Sequence, residues 1–169
     1  MNKAERSIAR LYDKAPAAVP GFPYKAVTTK QIKGWQQRYF GSVSSMTNYK
    51  AQKAAAILDN YAPGTAMGTR FAIFEICDQL HTKANADRAM TRLVDKAPQL
   101  NQRVPYKAVG VDKVDQWLAR HFGPVTEMSA PKARIAKSIL DSFAPGVALG
   151  TRTYMFELEK QLASQAAKK

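Results

Sequence analysis

Apolar residues recur along the first eighty positions at the spacing of a helix face, in four separate runs. Ala4, Ile8, Leu11 and Ala15 fall at i, i+4, i+7 and i+11, which predicts a helix over residues 3–14. Pro16, followed by Pro20, Gly21 and Pro23, ends it, because proline has no amide hydrogen and its ring clashes with the preceding turn. A second helix over residues 29–40 turns Ile32, Trp35 and Phe40 inward, with Thr29 as its cap and Gly41 at the left-handed position that ends a helix. A third, over residues 48–60, starts at Thr47 and buries Ala51, Ala54, Leu58 and Tyr61 before Ala62-Pro63-Gly64 stops it. A fourth begins near Thr69, with Ile73, Ile76 and Leu80 inward. No glycine or proline occurs from Thr69 to Ala97, so this helix either continues or breaks briefly near residues 83–85. Pro23-Tyr-Lys-Ala-Val27 is too short for a periodicity and reads as a lone extended segment or a short strand.

The same pattern returns 82 residues later. Asp13-Lys-Ala-Pro16 meets Asp95-Lys-Ala-Pro98, and Pro23 to Val27 meets Pro105 to Val109. Trp35, Arg38, Phe40 and Gly41 meet Trp117, Arg120, Phe122 and Gly123, while Ser129 repeats the cap at Thr47 and Gly110 or Asp112 stands for Thr29. From Ala4 to Leu80 the alignment runs without insertion and holds 36 identities in 77 positions. Chance does not produce that, so the halves share an ancestor. The expected fold is therefore mainly α, two tandem copies of a four-helix module related by pseudo-symmetry, over residues 1–83 and 84–169.

Composition narrows the class. The 46% apolar fraction is enough for a core, which excludes a disordered basic tail. The 26 Lys and Arg against 13 acids give +13 and a pI near 10. Residues 1–83 carry +7 and residues 84–169 carry +6, so the charge belongs to the module and is not a tail on one end. Such a surface attracts phosphate polymers, anionic membranes or acidic proteins; a solubility feature is the plain alternative. Cys77 is the one cysteine and leaves no internal disulfide framework. Neither a signal peptide nor a run of about 18 apolar residues is visible. The expected location is the cytoplasm, in association with nucleic acid, or the inside of a virus particle, with no membrane insertion.

Three features could carry chemistry. The first is Ala-Pro-Gly-x-Ala-x-Gly-Thr-Arg at residues 62–70 and 144–152. Thr69 and Thr151 can cap a helix whose first turn then holds Arg70 and Arg152, where free amides favour an anion. This reads as a phosphate-binding corner or as an ordinary helix–helix turn in which Gly64 and Gly68 allow close packing. It is not a P-loop, because the Gly-Lys-Ser/Thr ending is absent. The second is Arg38 and Arg120, three residues after Trp35 and Trp117, with the tryptophans themselves read as core. The third is a stripe of Arg6, Arg10 and Lys14, repeated as Arg88, Arg92 and Lys96. Like charges four apart cost stability unless an anion offsets them. Lys25, Lys107, Lys50 and Lys132 complete the shared basic set. The second and third helices invite comparison with a helix-turn-helix, but the turn from Gly41 to Met46 is longer than that motif's.

Catalysis is not expected. His81 and His121 do not correspond between the copies, no cluster has metal-ligand spacing, and the shared acids Asp13/Asp95, Asp59/Asp141 and Glu75/Glu157 are scattered. No cofactor is expected. The expected function is non-enzymatic nucleic-acid binding, DNA preferred over RNA, mainly through the phosphate backbone. The alternative is a structural or adaptor protein of a viral particle or other assembly, binding protein partners through the repeated faces. Peripheral membrane binding ranks last, because no exposed apolar anchor can be picked out from the sequence.

Overall fold

Four helices form in the first eighty residues where the apolar spacing puts them. In the computed structural model, which describes residues 2–101 and 103–168, the chain is mainly helical, with seven α-helices and a two-stranded sheet among the described residues. It divides into two compact units, Met1–His81 and Thr82–Lys169.

In the first unit α1 (Lys3–Lys14) starts on Asn2, whose side chain accepts from the Glu5 amide at 2.9 Å. Its inward residues are Ala4, Ile8 and Tyr12. Leu11 is only half-buried, while Tyr12 is buried with its hydroxyl bonded to Thr65 Oγ1. α2 (Thr29–Tyr39) is capped by Thr28, one residue earlier than expected, since Gln31 completes a reciprocal capping box with it. Gly41, at φ +81°, closes the helix with its amide on the Gln36 and Gln37 carbonyls, a conformation that side chains avoid. α3 (Asn48–Tyr61) starts on Thr47 and ends in a 3-10 turn over Ala62–Gly64. α4 (Met67–Lys96) begins two residues before Thr69, so that threonine is not its cap.

Ile8, Ile32, Leu58, Ile73 and Leu80 are fully buried in this unit. Each contributes about 1.5–3 kcal/mol relative to an exposed position. Trp35 is buried and its Nε1 donates to the Ala4 carbonyl at 2.8 Å, tying α2 to α1.

The second unit takes its first helix from the remainder of α4, which runs unbroken through residues 83–85. It continues with β1 (Gln99–Asn101), β2 (Val104–Lys107), α5 (Val111–His121), α6 (Ala130–Phe143) and α7 (Leu149–Ala166). α2 and α5, and likewise α3 and α6, begin and end 82 positions apart. Gly110 is the N-cap of α5, Ser129 caps α6, and Gly123 repeats the positive φ of Gly41. Trp117 Nε1 donates to the Ala86 carbonyl at 2.8 Å, the same bond as in the first unit. Met90, Ile135, Ile139, Leu140, Met155 and Leu162 are fully buried here.

The Pro-Tyr-Lys-Ala-Val segments are extended in both units but paired differently. Residues 104–107 form a strand antiparallel to β1, with Gln99 opposite Lys107. Residues 23–27 make only isolated bridges, Lys25 to Ala17 and Lys25 to Thr65. In each unit the lysine backbone also holds the turn after the third helix: Ala66 N–H donates to the Lys25 carbonyl at 3.0 Å, and Ala148 N–H to the Lys107 carbonyl at 2.9 Å.

Candidate nucleic-acid interface

The repeated corner is built around its arginine. Arg70 folds back from the first turn of α4 over the end of α3. Its Nε donates to the Ala62 and Thr65 carbonyls at 3.1 and 3.2 Å, and one Nη to Pro63 and Thr65 at 3.1 and 2.9 Å. Its guanidinium also lies 4.9 Å from the Tyr24 ring centroid. Arg152 repeats this on the Ala144, Pro145 and Val147 carbonyls and the Tyr106 ring. These donors satisfy carbonyls that the end of a helix leaves open. The first-turn arginine therefore serves the preceding helix end, where a cation is favoured, and not an anion at its own helix start. Nε and one Nη of each arginine are thereby engaged, which leaves fewer donors for the phosphate-binding corner expected from the sequence. Thr151 is no cap either: its hydroxyl donates to the Val109 carbonyl. Nor do the glycines allow close packing, since a Cβ added at Gly64, Gly68, Gly146 or Gly150 meets nothing within 4 Å.

Lys25 and Lys107 are committed in the same way. Lys25 Nζ donates to the Ala15 carbonyl at 3.1 Å, and Lys107 Nζ to the Ala97 carbonyl at 3.1 Å and the Asp95 carbonyl at 3.4 Å. Each closes the C-terminal end of its unit's first helix.

The helix stripes are different. Arg6, Arg10 and Lys14 on α1 and Arg88, Arg92 and Lys96 on α4 are exposed, as are Arg38 on α2 and Arg120 on α5. Arg88 donates to Asn85 Oδ1 at 2.7 Å, and Arg38 lies 5.5 Å from the Tyr39 ring centroid. Lys50 and Lys132 stand in the first turns of α3 and α6, the former exposed and the latter half-buried. Lys137–Asp141, Lys160–Glu157 and His81–Asp59 form ion pairs at other positions.

The structure brings part of the set together. In the second unit Arg92 and Lys96 of α4 face Lys113 and Arg120 of α5 across one groove, floored by Trp117 and edged by His121. Among the described residues four cations line it and no acidic side chain does. Burial, and after it the Arg120 charge, hold His121 below the usual histidine pKa, so it is neutral at pH 7. In the first unit the matching groove between α1 and α2 keeps Arg10 and Lys14 but has Gln31 where Lys113 stands. Lys113 lies outside the basic positions that the two halves share, because its first-half counterpart is Gln31. Lys113 and Arg120 are seven apart, two turns along one face of a helix, and that spacing was the available signal.

The apolar surface also departs from expectation. Met67, Phe71 and Phe74 of α4 are 58%, 60% and 50% exposed, and Leu149 and Phe156 of α7 repeat two of those positions. No helix among the described residues is long and apolar enough to cross a membrane. Comparison with protein-family models, curated proteins and solved structures finds no match to this chain.

Proposed function

We propose that this protein binds nucleic acid without catalysing a reaction, DNA ahead of RNA, and that two copies of one four-helix module supply its basic side chains. The module reading rests on the 36 identities in 77 positions and on helix bounds and Trp–carbonyl bonds that recur 82 residues apart. The binding reading rests on the α4–α5 groove, where Arg92, Lys96, Lys113 and Arg120 lie together with no acid among the described lining residues. Four like charges in one groove repel each other, and a phosphate chain offsets that cost. The exposed stripes Arg6–Arg10–Lys14 in the first unit and Arg88–Arg92–Lys96 in the second give each unit further cations for phosphates.

The test is a titration of a labelled 30-mer duplex and a single strand at several salt concentrations. The expected result is micromolar or tighter binding whose logarithm falls steeply and linearly with the logarithm of salt. No binding at about 50 mM salt removes the reading.

A second reading has one observation in its favour. Met67, Phe71 and Phe74, with Leu149 and Phe156 at matching positions, are apolar groups on helix surfaces, as a structural or adaptor protein would present to protein partners. Replacing Phe71 and Phe74 by Ser leaves nucleic-acid affinity unchanged on the first reading.

A further inference from the structure

We propose that Phe22 in the first unit is a stacking surface for an unpaired base of a single-stranded nucleic acid. The inference rests on the nucleic-acid reading and adds a ligand class to it.

Phe22 stands in the bend after Gly21, its amide on the Val19 carbonyl at 3.1 Å, and Tyr24 follows two residues on. Their rings lie 6.4 Å apart between centroids and within 7° of parallel. Arg70 lies against the Tyr24 ring at 4.9 Å and is itself anchored on the Ala62, Pro63 and Thr65 carbonyls. The segment is held on both sides of the pair. Gly21 makes the turn at φ +86°, the Ala18 amide donates to the Tyr24 carbonyl at 2.8 Å, and the Lys25 amide to the Gly64 carbonyl at 2.8 Å. The two rings are thus positioned before any ligand arrives, which lowers the ordering cost of binding. Yet Phe22 is 57% exposed, a flat apolar group left in water.

A ligand that fits has a flat π face to lay on the exposed ring. The bases of a single strand offer that face. A duplex hides its base faces in the stack and offers only phosphates and groove edges here. The second unit provides the internal comparison: Tyr106 and Arg152 keep the cation contact at 4.8 Å, but Val104 stands at the position of Phe22.

The experiment uses the full chain and three labelled probes of equal length: a thymidine single strand, the same strand with abasic sugars, and a duplex. Phe22→Ala is expected to weaken the thymidine strand about tenfold, with abasic and duplex binding unchanged. Phe22→Leu keeps the apolar bulk and loses the flat ring, so it should fall with Phe22→Ala, while Phe22→Trp should bind at least as well as the parent. Circular dichroism checks that each variant is folded. Equal affinity of Phe22→Ala and the parent for the thymidine strand, or full retention by Phe22→Leu, overturns the stacking role and leaves the phosphate groove standing. A parent protein that binds none of the three probes overturns both.

Discussion

Arg70 shows how one residue reverses its apparent meaning once its donors are traced. In the first turn of α4 a cation meets the positive end of the helix, which suggests an anionic partner. Its fork instead satisfies the carbonyls of Ala62, Pro63 and Thr65 and supports Tyr24. Arg70→Ala is therefore expected to lose about 1.5–3 kcal/mol of stability, the worth of hydrogen bonds to a charged group. Arg10→Ala, on an exposed helix face, should change stability by no more than about 0.5 kcal/mol. Urea denaturation of both variants decides it, and equal stabilities would mean that the corner does not depend on its arginine. Glu159 is the opposite case. Both carboxylate oxygens are buried with no hydrogen-bond partner in the structure. Its first-unit counterpart is Cys77, a buried thiol pushed up to about 12, chiefly by burial, and so inert at neutral pH. Glu159→Leu removes an unpaired polar group from an apolar site and should stabilise the protein by about 1–3 kcal/mol. A lower denaturation midpoint for this variant would refute that account.

Pairs of helices are the level at which the grooves and the core separate. Trp35 and Trp117 read as core from their spacing, and each is indeed buried with its indole N–H on a first-helix carbonyl. Trp35→Ala leaves a cavity and strands the Ala4 carbonyl, at a cost of about 3–5 kcal/mol. Amide exchange should speed up throughout residues 2–81, whereas a selective loss of nucleic-acid binding with the fold intact would show the residue to be a contact. The arginines and lysines on the facing helices behave otherwise. Lys113→Glu together with Arg120→Glu inverts two of the four charges in the α4–α5 groove without touching the core. Polyanion affinity should drop at least tenfold while the denaturation midpoint holds or rises, since the reversal also relieves repulsion. The corresponding pair in the first unit, Gln31 and Arg38, should matter less because that groove starts with fewer cations. An equal loss from both pairs would contradict the inequality of the grooves.

For the molecule as a whole, charge and pH are linked through His121. Burial and Arg120 depress its pKa, so the folded protein holds that proton less readily than the unfolded chain. The contribution to stability is present above the ordinary histidine range and is lost as pH falls through it toward the folded value. Between about pH 7.5 and 5.5 the parent should lose stability that His121→Gln does not. A polyanion in the groove acts in the other direction by offsetting Arg120 and raising the imidazole pKa. Binding then takes up a proton and tightens as pH falls over the same range, an effect absent in His121→Gln. Identical pH profiles for the two proteins would detach His121 from the groove.

Helix content, breaks and caps follow from local physics, and so they were legible. Apolar spacing marks helix faces, proline and glycine mark ends, and a hydroxyl at the cap position satisfies open amides; the errors were shifts of one or two residues at Thr28 and Met67. The 82-residue repeat is likewise a property of the chain alone. The fate of each polar side chain is not, because carbonyls distant in sequence compete for its donors. Arg70, Lys25, Arg152 and Lys107 are spent on helix ends that only folding brings to them. Lys113 joins Arg92, Lys96 and Arg120 only when α5 lies beside α4. Local periodicity decides which way a helix faces, whereas the neighbours that tertiary packing supplies decide which charges remain available to a ligand.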